Sequence, residues 1–108
     1  MKGKQMKKLE GFQKKYLRGL AHGLKPVVLI GQKGLTKELL KSAELALDSH
    51  ELIKLKFNDF KEKEQKEEIS KAFEKGTGAE LVGSVGHIYI YFKQQDNPEK
   101  RRIQLPQR

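Results

Sequence analysis

Gly31-Gln32-Lys33-Gly34 follows the apolar run 26–30 and leads into a helical pattern over 36–49, so two glycines frame a turn between a strand and a helix. Glycine lets backbone approach a ligand closely. The free amides and positive dipole end of a helix start attract an anion. Lys33 adds a mobile cation at the tip, which makes the turn a phosphate-sized socket. The turn lacks the GKS/T ending of a nucleotide-hydrolysing loop and is shorter than GxGxxG, so the spacing favours neither nucleotide hydrolysis nor dinucleotide binding. His22, His50 and His87 are far apart and lack metal-binding spacing, and the carboxylates lie mostly beside lysines on helical stretches. The expectation is binding without catalysis, cofactor or metal. The rival, a small phosphotransfer or RNA-processing enzyme, needs an acid cluster near the turn, which the sequence does not display.

The charge says which phosphate. Residues 1–34 hold nine Lys/Arg against Glu10, a net +8; residues 35–76 hold nine basic and ten acidic residues, −1; residues 77–108 hold five and three, +2; the total is +9. The excess therefore sits beside the GQKG turn, and a polarised cationic field favours a polyanion, because each neutralised phosphate releases a counterion. A chain of 108 residues fits one domain. It has no cysteine and no apolar run long enough to span a bilayer. A soluble cytoplasmic monomer with no membrane or small-molecule partner is expected.

Positioning the turn requires an α/β domain in the order α-β-α-β-α-β-β, two-layered or sandwiched, with helix-linked strands parallel and a final antiparallel hairpin. Residues 1–8 form a basic arm, 9–93 the domain and 94–108 a tail expected to be partly ordered. A first helix spans about 10–23, with Leu17, Leu20, Ala21 and Leu24 as its apolar stripe and Lys14, Lys15 and Arg18 away from it. Pro26 ends that stretch, and Val27 to Ile30 reads as a buried strand. Thr36 is the predicted cap of a second helix that buries Leu39, Leu40, Ala43, Ala46 and Leu47. Residues 51–58 alternate, with Ile53, Leu55 and Phe57 opposite Lys54 and Lys56. Residues 61–75 carry five lysines and five glutamates, a solvated strut with Ile69, Ala72 and Phe73 as its apolar edge and Gly76 as its stop. Strands over 81–85 and 88–92 flank a Gly86-His87 turn. Tyr89 and Tyr91 either stack bases or cover a helix, and Lys54 and Lys56 line their face if the register allows.

The runs 13–22 (QKKYLRGLAH), 24–28 (LKPVV), 30–36 (IGQKGLT) and 50–54 (HELIK) together closely resemble the CRM (chloroplast RNA splicing and ribosome maturation) domain in its stand-alone bacterial, YhbY-like form. That resemblance covers about 9–93. It implies an RNA-binding domain with a four-stranded mixed sheet, similar to the C-terminal domain of translation initiation factor three. It also implies association with 23S rRNA in precursors of the large (50S) ribosomal subunit, or, as in plant relatives, with group II introns. The RNA-binding residues that the resemblance implies are Gly31, Gln32, Lys33 and Gly34 in the GxxG loop and Lys14, Lys15 and Arg18 on the first helix; Lys25 and Lys37, flanking the strand and loop, complete the expected RNA-binding set. Two positions depart from the family pattern. Leu9-Glu10-Gly11-Phe12-Gln13 replaces a start with a hydroxyl cap and a further basic residue, leaving Phe12 to pack on Tyr16 or stack on a base. His87 stands where Arg or Lys is frequent.

Overall fold

The computed structural model describes residues 8–60 and 62–107. Apart from Lys8, the expected basic arm lies outside the described residues. The elements are α1 (Gly11–Ala21), β1 (Val28–Ile30), α2 (Lys37–His50), β2 (Leu52–Phe57), α3 (Lys63–Thr77), β3 (Glu80–Val85) and β4 (Ile88–Phe92), followed by a 3₁₀ turn over Pro98–Lys100. This is the expected order. The four strands form one sheet in the order β1-β2-β4-β3, parallel between β1 and β2 and antiparallel elsewhere.

Alternation along each strand divides the sheet into two faces. Val28, Ile30, Ile53, Leu55, Phe57, Tyr89 and Tyr91 pack on one face with Ala43 and Leu47 of α2 and Phe73 of α3. Leu52, Val82, Ile90 and Phe92 lie on the other under Leu17 and Ala21 of α1. The result is a three-layer sandwich, in which each fully buried large apolar side chain stabilises by about 1.5–3 kcal/mol. Tyr91 is fully buried, with its hydroxyl 2.7 Å from Ser70 Oγ and its ring 4.4 Å from that of Phe73. Tyr89 sits edge-on to Phe57. Both tyrosines are buried on the face that α2 and α3 cover, so neither presents a free ring to a base. Lys54 and Lys56 pair with Ile90 and Ile88 across the strands, which puts them on the opposite face from the tyrosines and corrects the shared-face expectation.

Local signals explain the helix limits. Glu10 replaces a hydroxyl cap at α1, and its amide donates to Gln13 Oε1 at 3.0 Å, so the helix starts at Gly11. Thr36 Oγ1 accepts the Leu39 amide at 3.1 Å and caps α2 as expected. In α1 only Leu17 and Ala21 are buried, while Leu20 and Leu24 remain largely exposed. The four-residue stripe expected there is thus narrower, because α1 lies on the sheet along one line of side chains. In α3 the buried line is Lys66, Ser70, Phe73 and Thr77, and Ala72 is exposed. Gly76 is not the stop. A Cβ there would lie 3.0 Å from Leu40 Cδ2, so Gly76 makes room for α2, and the helix ends at Gly78, in the left-handed region at φ 80°. Lys66 is buried because it docks α3 on the hairpin: its Nζ donates to Gly86 O at 3.2 Å and approaches His87 Nδ1 at 3.3 Å. An ammonium only donates, so Nδ1 is the acceptor. The expected strut is therefore anchored rather than merely solvated.

The residues after β4 also differ from expectation. Residues 94–107 fold back on the α1 face, where Ile103 and Leu105 pack against the second core. Their anchor is Glu51, fully buried at the C-terminal end of α2 with φ 65°. Its carboxylate accepts the amides of Gln95 at 2.7 Å, Arg102 at 2.8 Å and Ile103 at 2.9 Å. Proline and charge in this stretch suggested a loose tail. A buried carboxylate 44 to 52 residues away in sequence holds it in place.

Candidate nucleic-acid interface

The parallel pairing of β1 and β2 sets the end of the sheet at which the GQKG turn emerges. Ile30 is opposite Phe57, and the Phe57 amide donates to His87 O at 2.9 Å. The turn, the connection after β2 and the Gly86-His87 hairpin turn therefore share one end. Within the turn, the Gly34 amide donates to Gly31 O at 3.0 Å. Gly34 is buried in the left-handed region at φ 71°, and a Cβ there would sit 3.7 Å from the Phe60 ring. Gly31 has open space around its Cα and no positive φ. The two glycines thus have separate duties: Gly34 makes the turn, and Gly31 leaves its outer side clear.

Gln32 and Lys33 are exposed at the tip, and among the described residues their amides have no hydrogen-bond partner. Lys37, also exposed, opens α2 a short distance on. These five positions, Gly31, Gln32, Lys33, Gly34 and Lys37, form one group. At α2 itself, Thr36 takes the Leu39 amide, and Glu38 stands in the first turn.

The α1 cations lie elsewhere. Lys14 Nζ is 3.8 Å from Glu80 Oε2 at the start of β3, and Arg18 Nη1 donates to Val82 O at 3.3 Å. Strand β3 is the edge opposite β1, so roughly 14 Å of sheet separates these anchors from the turn. Arg18 crosses a β-bulge between Leu81 and Gly83; a Cβ on Gly83 would meet Arg18 Cδ at 2.7 Å. Lys15 is exposed and lines a shallow apolar groove with Phe12, Tyr16, Gly19, Leu20 and Pro106. Phe12 and Tyr16 share that groove. Lys25 is exposed in the α1–β1 connection, at the other end of β1 from the turn. The structure groups the loop residues and sets Lys14, Lys15 and Arg18 apart from them.

Sequence reasoning did not single out one feature of this face. Residues paired across the strands put Leu29, Lys56, Ile88 and Val85 in one row spanning all four strands on the α1 face. Helix α1 and the returning C-terminal segment cover the rows below, but Leu29 is 50% and Val85 74% exposed. The alternation of residues 53–57 and 88–92 carried the signal, and it needed the strand register to be read.

No group of three or more His, Cys, Asp or Glu with metal-binding geometry occurs among the described residues. No helix among them is long and apolar enough to cross a membrane.

The molecule is a small α/β sandwich presenting a glycine-framed, cation-tipped turn at a strand-to-helix junction. Residues 9–93 match the CRS1 / YhbY (CRM) domain, and the chain belongs to that family. It is 42% identical over 96 residues to a Haemophilus influenzae protein named "RNA-binding protein", covering 89% of this chain and 93% of that one. It is 34% identical over 98 residues to "Probable RNA-binding protein YqeI" of Bacillus subtilis, covering 91% and 99% respectively. The solution structure of SAV1595 from Staphylococcus aureus superposes with a TM-score of 0.73 at 31% identity, covering 92% of this chain and all of that one.

Proposed function

We propose that this protein is a non-catalytic RNA-binding factor that engages 23S rRNA in precursors of the 50S subunit and assists their assembly in the cytoplasm, acting as a monomer. The observation that carries this reading is the GQKG turn in the +8 third of the chain, with Gln32 and Lys33 exposed at its tip and their amides without a partner among the described residues. Relatives named for RNA binding and the family resemblance to ribosome-maturation proteins support it. In the mechanism, amides of Gln32 and Lys33 hold a phosphate, Gly31 lets the backbone approach it, and Lys33 and Lys37 neutralise neighbouring phosphates. Lys25 and the α1 cations Lys14, Lys15 and Arg18 contact more distant parts of the same RNA. With lysine dominating, RNA shape supplies more selectivity than base edges do.

The test is sedimentation of a lysate through a gradient, followed by sequencing of RNA crosslinked to the protein. Co-migration with immature large subunits and recovery of 23S precursor are expected. Recovery of introns without rRNA, or binding that resists ribonuclease, overturns the ribosomal reading.

A further inference from the structure

The proposed RNA site leaves a gap between the turn on β1 and Arg18 on β3. The row Leu29, Lys56, Ile88 and Val85 fills that gap. One end adjoins the strand that carries the turn. The other lies two residues from Gly83, over which Arg18 passes. Leu29 and Val85 are exposed at its two ends and Ile88 is half-buried between them, and apolar side chains left open to solvent in one row mark a contact surface. Its occupant is indicated by charge: Lys56 is exposed at its centre, the row contains no carboxylate, and it lies between Lys33 and Arg18 on a chain of net charge +9. Leucine, isoleucine and valine beside a lysine suit a polymer of alternating flat apolar rings and phosphates, which is unpaired RNA. A duplex keeps its rings stacked inside and offers such a row nothing to cover.

We infer that the open row Leu29-Lys56-Ile88-Val85 seats unpaired bases of the RNA whose backbone the GQKG turn holds, with Lys56 paired to an intervening phosphate. This rests on the RNA-binding reading of the turn. The row is about 14 Å wide across its three strand spacings, enough for a short single-stranded segment rather than a folded helix. Unpaired bases meeting the row would give the protein a preference for RNA that has not yet folded.

The test compares the intact protein with the double variant Leu29→Ser/Val85→Ser and with Lys33→Ala, against a single-stranded oligouridine and a duplex RNA of equal length. Both serines fall at exposed positions, and a thermal melt confirms that the fold is kept. The double variant is expected to bind the single strand about tenfold more weakly and the duplex unchanged. Methyl resonances of Leu29, Ile88 and Val85 should move on adding the single strand. If the double variant binds oligouridine like the intact protein while Lys33→Ala is weakened, the row plays no part and the turn reading stands. If the intact protein binds neither RNA, both readings fall. If the methyl resonances move with protein concentration alone, the row is covered by a second copy and the inference is overturned.

Discussion

Two places in this molecule gather backbone amides suited to an anion, and they have opposite fates. At the end of α2, three amides converge on the buried carboxylate of Glu51, an anion supplied by the chain itself. At Gly31–Gly34 the amides of Gln32 and Lys33 have no partner among the described residues, and the Lys33 side chain is exposed beside them. The first arrangement closes a strap over a core; the second leaves its donors open. The comparison shows that amide geometry alone does not make a ligand site. What decides is whether the fold has already spent the donors.

The largest expected effect breaks the closed site. Glu51→Ala leaves three partly buried amides without their acceptor, which should cost about 3 kcal/mol in chemical denaturation. It should also expose residues 94–107 to protease, because their anchor is gone. Affinity for RNA at the turn should be unchanged under conditions where the variant is folded. A variant that lost RNA binding while remaining folded would show that the two amide sites are coupled.

The next effect separates the two glycines of the turn. Gly34→Ala places a Cβ at φ 71°, a left-handed conformation that costs an L-residue about 1–2 kcal/mol. Gly31→Ala meets open space at ordinary φ and should shift stability by no more than about 0.5 kcal/mol. Thermal melts of both variants beside RNA titrations would therefore distinguish a turn-making glycine from an approach-permitting one. Equal stability losses at the two positions would contradict that division.

Periodicity and turn chemistry made the glycine-framed turn and the order of elements legible from sequence. Thr36 caps where it was expected, and the Gly86-His87 hairpin turn sits where its flanking strands placed it. What sequence could not show was anything set by register or by distant contact. The tyrosines and lysines of the central strands were both visible as alternations, but only the pairing of Ile53 with Tyr91 fixes which share a face. Glu51 read as the first residue of the alternating strand 51–58, because its partners lie more than forty residues away. Lys14 and Arg18 fall in the same cationic third of the sequence as the turn, and only the strand order β1-β2-β4-β3 shows that their contacts with Glu80 and Val82 lie at the far edge.

The contrast between open and closed polar groups extends to the aromatics. Tyr91 is committed to the fold through Ser70, so Tyr91→Phe should cost about 1 kcal/mol by leaving Ser70 Oγ unpaired and should not change RNA affinity. Burial holds the Tyr91 hydroxyl well above the usual tyrosine value of 10.0, an effect that Ser70 opposes and Glu74 and Tyr89 reinforce. The folded state therefore keeps a proton that the unfolded chain releases. This contribution to stability is complete below pH 10.0 and is lost as pH rises beyond it. Tyr91→Phe should flatten that alkaline decline, as read by denaturation across pH.

The smallest effects fall on the exposed cations, and they rank by whether a partner already occupies them. Lys33 has no ion-pair partner among the described residues, whereas Lys14 lies 3.8 Å from Glu80. Lys33→Ala should lower RNA affinity several-fold and reduce the slope of log affinity against log salt by about one. Lys14→Ala should change the slope less, because any phosphate contact there must compete with Glu80 for the same ammonium. Glu80→Gln sharpens the comparison: it frees Lys14 without adding a cation, so RNA affinity should rise slightly and more at low salt than at high salt. An unchanged affinity at low salt would place Lys14 outside the RNA path and confine binding to the turn side of the sheet.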